Sequence, residues 1–135
     1  MVRVIAFMIC LSLAGCGAAP AREPPAVALG EEVTLAPGAM ASVKTADMKV
    51  RFVAVTADSR CPSDVTCIWA GEVKVQLEIL ESSQAASRVE ILGGSSTDAG
   101  AYRVTIVRVE PQPASTAPIA AQDYRVTLKV GSKAS

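Results

Sequence analysis

The sequence predicts an all-β protein whose single folded domain is an antiparallel β-sandwich. Apolar and polar residues alternate with a period of two over most of the chain after residue 30, which is the pattern of half-buried strands. Seven short segments of this kind are separated by turn-like breaks, and no segment after the first 16 residues shows helical periodicity. An immunoglobulin-like arrangement is one form of such a sandwich, and a partly closed β-barrel is the alternative.

The clearest predicted strands are 72–80 and 123–130, in which apolar side chains occupy one face and mostly polar side chains the other. Their predicted core faces are Val73, Val75, Leu77 and Ile79 in the first strand and Tyr124, Val126, Leu128 and Val130 in the second. The opposite face of 123–130, which includes Thr127, is expected to meet solvent. The other predicted strands are 32–35, 39–45, 48–56, 87–92 and 101–110.

Two predicted strands change phase partway along. The apolar residues of 48–56 pass from even to odd positions after Phe52, and those of 101–110 do so after Ile106. Either these strands are buried on both faces, or each contains a β-bulge that shifts its register by one residue. Between the strands, 93–100 is predicted to be a flexible connection and 111–122 a longer one, rich in proline, alanine and small polar residues.

The first residues have the pattern of a lipoprotein signal peptide. Arg3 precedes an apolar segment, 4–13, of about ten residues, which is too short for a membrane span of roughly 20 residues. The sequence Leu-Ala-Gly-Cys at 13–16 resembles the lipobox of bacterial lipoproteins. We therefore expect cleavage after residue 15, a diacylglycerol on the sulfur of Cys16 and a third acyl chain, palmitate, on its amine. Cys10 is a poor alternative acceptor because bulky residues precede it.

Residues 16–30 are expected to connect this lipid anchor to the domain, 31–135. They are rich in proline and small residues and cannot build a core, so we predict an extended tether that holds the domain roughly 40 Å from the lipid. In the sorting pattern of bacterial lipoproteins, a glycine at position 17 favours the outer membrane over retention elsewhere. The domain is thus expected in the cell envelope, bound to the membrane through Cys16 and facing the periplasm.

The composition argues against several classes of function. The 135 residues contain no histidine, which is the usual general base near neutral pH and the commonest metal ligand. The number of lysine and arginine residues equals the number of aspartate and glutamate residues, 13 each. The sequence contains no cluster of basic residues of the kind that would indicate a nucleic-acid partner. We expect no catalytic residues, no metal and no cofactor, and predict that the protein is not an enzyme.

Cys61 and Cys67 are the two cysteines left after cleavage and acylation, and in an oxidising periplasm they are expected to form a disulfide. Closing this loop contributes about 2.4 kcal/mol by the chain-entropy relation. The alternatives are a redox-active pair, which the spacing disfavours because it is not Cys-x-x-Cys, and a metal site. Two thiolates without histidine would leave a zinc shell half filled.

The segment around these cysteines is the candidate binding loop, with Asp58, Arg60, Asp64 and Trp69 as its candidate residues. Trp69 follows Cys67 by two positions, so on a strand it would pack over the disulfide and fill an aromatic-poor core. The alternative is an exposed aromatic anchor for a partner. The three charged residues are interpreted as turn-capping or salt-bridging groups rather than catalytic acids. We expect substitutions at Arg60 or Asp64 to weaken partner capture without changing the melting temperature.

Residues 58–75, DSRCPSDVTCIWAGEVKV, resemble the hallmark of a group of small uncharacterised bacterial lipoproteins. These proteins carry DSRCP, a second cysteine and Trp-x-Gly, here in the spacing DSRCP-x4-C-x-W-x-G. The later segments VTIVRVEPQP and YRVTLKV are also similar to the closing strands of that group. The resemblance covers most of 31–130 and implies a fold and a location in the envelope, but no active site.

These observations lead to three functional hypotheses. The first is an envelope-anchored lipoprotein that acts as a non-enzymatic binding or structural module, with an envelope protein as its partner. The second is an inhibitor whose 61–67 loop enters the cleft of a target enzyme. The third is a thiol-disulfide redox protein that uses Cys61 and Cys67.

Overall fold

The computed structural model describes residues 22–134, so the predicted signal peptide, Cys16 and the first part of the tether lie outside the described residues. The described chain forms nine strands and one 3₁₀ turn, Ala121–Asp123. The strands are β1 Ala26–Val27, β2 Glu32–Leu35, β3 Met40–Val43, β4 Met48–Asp58, β5 Val73–Glu81, β6 Ser87–Leu92, β7 Ser96–Ala99, β8 Tyr102–Glu110 and β9 Arg125–Ser132. Between residues 22 and 134, no helix has the length and apolar character needed to cross a membrane.

The strands form two sheets that pack as a β-sandwich, which confirms the predicted fold class. One sheet has the order β1-β3-β4-β5-β6 and the other β2-β9-β8-β7, and the two do not close into a barrel. All pairs are antiparallel except β1 with β3. Consecutive strands β3 to β6 and β7 to β9 form two meanders, whereas an immunoglobulin domain pairs its second strand with its fifth.

The core lies between the sheets and is built from the faces that the alternation predicts. All eight apolar residues predicted for the core in 72–80 and 123–130 are buried. They pack in one cluster with Phe52, Ile106 and further apolar side chains. Burial of these apolar surfaces is the main stabilising contribution to the fold.

Thr127 is a correction to the predicted solvent face of β9. It is only 1% exposed, because its short side chain stands between its register partners, Thr34 of β2 and the long Arg108 of β8. The Thr127 hydroxyl hydrogen-bonds to the hydroxyl of Thr34 at 2.8 Å, so its polar atom is satisfied despite burial. Periodicity within one strand does not indicate how closely flanking strands cover its outer face.

The two phase changes are β-bulges, the second of the two predicted alternatives. The register of β4 against β5 shifts between Phe52 and Ala54, and again between Val55 and Ala57. The register of β8 against β9 shifts between Ile106 and Arg108, so that buried Val109 returns to the core face. The first extra residue in β4 and the one in β8 account for the change from even to odd apolar positions, and the second in β4 reverses it.

Two strands lie where the sequence predicts none. Ala26–Val27 falls within the predicted tether, yet it pairs with β3 and buries Val27 to 6% exposure. The tether therefore ends near residue 25 rather than at residue 30. Ser96–Ala99 falls within the predicted flexible connection, yet it pairs with β8 over its whole length. β1 has only two residues and β7 has four, mostly polar, so alternation does not reveal them, and backbone pairing with a neighbouring strand orders them.

The two ends of the sandwich differ in structure, and one of them carries the candidate site. At one end β4 leads through residues 59–72, here called the tip, into β5, and β8 leads through residues 111–120, here called the arm, towards β9. The opposite end holds the short turns 44–47 and 82–86. The Ser82 N–H donates to the carbonyl of Asp47 at 3.3 Å, which holds these two turns together.

Candidate functional site

Cys61 and Cys67 form a disulfide, with their Cα atoms 5.9 Å apart, which confirms the predicted pairing. The bond closes a loop of exposed and partly exposed residues at the far end of the tip. A covalent link across so short a segment restricts the conformations available to it. The loop is thus held in shape without contributing side chains to the core.

Backbone hydrogen bonds extend the β4–β5 hairpin from the sheet to the disulfide. The Ser59 N–H donates to the carbonyl of Glu72 at 2.8 Å, and the Cys61 N–H donates to the carbonyl of Ala70 at 3.1 Å. The Glu72 N–H in turn donates to the Ser59 hydroxyl at 3.0 Å. Both sides of the tip are therefore paired at its base.

Gly71 allows these two sides to approach each other. Its φ is +69°, and a Cβ atom added there would overlap the carbonyl oxygen of Ser59. No side chain fits in that space, because real Cβ contacts do not fall below about 3 Å. Glycine is therefore required at position 71 of the Trp-x-Gly hallmark by the close approach of the Ser59 backbone, which the sequence motif alone does not reveal.

Asp58, Arg60 and Tyr124 form a hydrogen-bonded network beneath the tip. The Arg60 guanidinium donates two hydrogen bonds to the Asp58 carboxylate, at 2.8 and 2.6 Å, and the Arg60 N–H adds a third at 3.2 Å. The Tyr124 hydroxyl donates to the same carboxylate at 2.9 Å. The side chains of Asp58 and Arg60 are each only 11% exposed. This agrees with the predicted salt-bridging role of the two residues.

The same network joins the tip to the second sheet. The guanidinium of Arg60 also donates to the carbonyls of Val109 at 2.8 Å and Pro111 at 3.0 Å. Val109 ends the buried face of β8, and Pro111 begins the arm. Arg60 therefore links β4, β8 and the arm, and its substitution is expected to lower the melting temperature rather than leave it unchanged.

The pKa values of this network follow from its geometry. Burial raises the pKa of Asp58, but the hydrogen bonds from Arg60 and Tyr124 outweigh it and hold the pKa below its ordinary value. The hydrogen bond to Asp58 raises the pKa of Arg60, and burial, assisted by Asp58, raises the pKa of Tyr124. At neutral pH the network is thus an ion pair with a neutral phenol.

The arm lies against the tip and leaves a cleft beside it. The Ser63 N–H donates to the carbonyl of Pro113 at 3.0 Å, and the Ser63 hydroxyl donates to that of Ala114 at 3.4 Å. A cleft of about 390 Å³ lies between the arm and the end of β4, with Asp58 and Tyr124 among its lining residues. The topology thus brings the 61–67 loop and the long connection together.

Trp69 does not pack over the disulfide, so the predicted core role is wrong. It is 82% exposed, and its neighbour Ile68 is 94% exposed. The two residues lie in a bend rather than a strand, so the alternation that would have placed Trp69 beside Cys67 does not apply. Val65, also in the tip, is 44% exposed and is a third apolar side chain that meets solvent. The tip therefore presents a small, exposed apolar surface.

The four candidate residues fall into two groups. Asp58 and Arg60 turn inward and hold the base of the tip, whereas Asp64 and Trp69 are exposed on it. Ile68 and Gly71 were not among the candidate residues. The adjacent pair Ile68 and Trp69 is a signal that could have identified an exposed side chain, because two consecutive residues of one strand cannot both face the core. Residues 22–134 contain no group of three or more acidic or cysteine side chains placed to hold a metal ion.

Comparison of the chain with protein-family models, curated proteins and solved structures finds no match.

Proposed function

We propose that this protein is an envelope-anchored lipoprotein whose β-sandwich is a non-enzymatic binding module, with the tip as its contact surface. The observation that carries this proposal is the near-complete exposure of Ile68 and Trp69, at 94% and 82%. Exposed large apolar side chains that lie together mark interaction sites more often than isolated ones do. Tryptophan is also among the residues that contribute most to binding when a partner buries it.

The rigidity of the tip supports a binding role. The disulfide, the paired backbone at Ser59 and Cys61 and the contacts of Arg60 hold the loop before any partner arrives. A contact surface ordered in advance loses less conformational entropy on association. Functional loops on rigid β scaffolds are commonly built in this way.

The Asp58–Arg60–Tyr124 network supports the structural part of the proposal rather than a catalytic one. Its donors and acceptors are directed at one another and at backbone carbonyls of β8 and the arm. The hydrogen bonds to Asp58 lower its pKa, which makes it a weaker base. These groups are therefore suited to holding the tip in place.

The lipid anchor is tested by replacing Cys16 with serine. We expect Cys16→Ser to lose incorporation of a fatty-acid analogue and to remain unprocessed, because the thiol that accepts the diacylglycerol is absent. Cys10→Ser is the matched control and should be labelled like the wild type. Undiminished label on Cys16→Ser would contradict the lipobox assignment.

The binding role of the tip is tested by site-specific photocrosslinking in the full-length protein in its native envelope. A benzophenone amino acid at position 68 should form adducts that are lost when Trp69→Ser is added, since the two exposed side chains are neighbours in the tip. The matched control places the same amino acid at Gln84, an exposed residue at the opposite end of the sandwich. Equal adducts from both positions, or none from position 68, would contradict the proposal.

A further inference from the structure

The direction of β1 indicates where the chain enters the domain. β1 runs parallel to β3, and β3 runs towards the turn 44–47, away from the tip. The Ser42 N–H donates to the carbonyl of Pro25 at 2.9 Å, which fixes this direction up to residue 25. The chain before β1 therefore reaches the sheet from the side of the tip.

The length of the preceding chain matches the height of the domain. Ala26 lies level with Leu80 of β5, through the pairing of β1 with β3, β3 with β4 and β4 with β5. From Leu80 to Val73, where the tip begins, β5 rises by about 24 Å over seven residues. The ten residues from Cys16 to Ala26 reach at most about 36 Å when extended. An extended tether in the direction of β1 would thus bring Cys16 level with the tip.

The far part of the tip, 61–71, is poor in charge. It carries Ile68 and Trp69, and together with the arm it contains one charged residue, Asp64. Of the charged residues at the base of the tip, Arg60 is bonded inward and Glu72 lies next to β5. The four-residue turn 44–47 at the opposite end contains two charged residues. Moving charged groups out of water is costly, so the far part of the tip can approach an apolar phase at low cost.

We propose that the partner of the tip is the surface of the membrane in which Cys16 is anchored, and that Ile68 and Trp69 enter its interfacial region. This inference rests on the proposed function, because it needs both the anchor and the tip. Tryptophan suits the interface between headgroups and acyl chains, where its ring is apolar and its N–H meets water. The short tether keeps the tip at a high effective concentration near the bilayer, so a weak contact is sufficient.

The test uses the full-length lipidated protein in vesicles of phosphatidylethanolamine and phosphatidylglycerol. Trp69 is the only tryptophan in the chain, so tryptophan emission reports on the tip without ambiguity. Adding doxyl-labelled phosphatidylcholine should reduce this emission to roughly half or less, and iodide in the buffer should quench it weakly, since the ring lies in the interface. Ile68→Ser should weaken the quenching by lipid.

The control moves the reporter to the opposite end with the double variant Trp69→Phe, Gln84→Trp. Its emission should be quenched by iodide and not by doxyl lipid. Equal quenching by doxyl lipid at positions 69 and 84 would overturn the membrane proposal. If doxyl lipid quenches positions 69 and 84 equally while a benzophenone amino acid at position 68 crosslinks to a protein in the envelope, the binding function stands and only the membrane partner is wrong. If that probe captures neither protein nor lipid, both proposals fail.

Discussion

Replacing Gly71 with alanine is expected to lower the free energy of unfolding of the domain by about 3–5 kcal/mol, although it adds only one methyl group. The added Cβ would overlap the carbonyl oxygen of Ser59 and lie 2.9 Å from Cα of Arg60, both backbone atoms that cannot rotate away. The φ of +69° at this position is also unfavourable for alanine, as for any residue with a Cβ atom. The two sides of the tip must separate, which weakens the hydrogen bonds between Ser59 and Glu72.

Gly38→Ala is the matched control for this substitution. Gly38 has a φ of +82°, but no atom lies within 4 Å of the position that an alanine Cβ would take there. Only the backbone cost of about 1–2 kcal/mol therefore applies. Urea unfolding of both variants and the wild type measures the difference. If Gly71→Ala is no less stable than Gly38→Ala, the close approach of Ser59 to Gly71 is not a constraint on the fold.

Replacing Arg60 with alanine is expected to cost about 3 kcal/mol and to lower the melting temperature by about 10 °C or more. The variant leaves the mostly buried carboxylate of Asp58 with the Tyr124 hydroxyl as a remaining partner. It also removes the donors to the carbonyls of Val109 and Pro111, and with them the link between the two sheets. Loss of one partner from a buried ion pair is costly because the other charge stays desolvated.

Arg103→Ala is the matched control, because Arg103 pairs with Asp98 at 2.8 Å but on the surface. The side chains of that pair are 47% and 39% exposed, and we expect little change in melting temperature. Calorimetry of the two variants separates the buried pair from the exposed one. Equal melting temperatures would mean that the network under the tip contributes no more than a surface salt bridge.

The pH dependence of stability gives this prediction a second measurement. The pKa of Asp58 is lower in the folded protein than its ordinary 3.8, so its ionised form stabilises the fold above that pH. This stability is lost as the pH falls through the lowered pKa. Urea unfolding at several acidic pH values should show a smaller loss of stability on acidification in Asp58→Asn than in the wild type. The pKa of Asp98 is lowered to about 2, and Asp98 is present in both the variant and the wild type. The difference between the two proteins therefore reports on Asp58 alone.

Seven of the nine described strands and the core faces of the clearest two were predictable because they depend on local pattern. A side chain on a strand faces the core or solvent according to its parity, and the bulges in β4 and β8 appear in the sequence as changes of parity. The disulfide was predictable for a similar reason, since few cysteines are available to pair. Alternation does not record what lies beside a strand, however. It therefore placed Thr127 in solvent, although β2 and β8 cover it.

The sequence by itself determined seven of the nine described strands and which two cysteines close the loop, because parity and covalent pairing need no knowledge of distant neighbours. Only the tertiary structure decided the character of the tip. Arg60 turns inward because the carbonyls of Val109 and Pro111, about fifty residues away, lie beside it. Trp69 is exposed because the chain bends after Cys67, and Gly71 then brings the returning strand against Ser59. The contacts of Arg60 join segments that are far apart in sequence, and neither they nor the bend after Cys67 is encoded by a periodicity of the sequence.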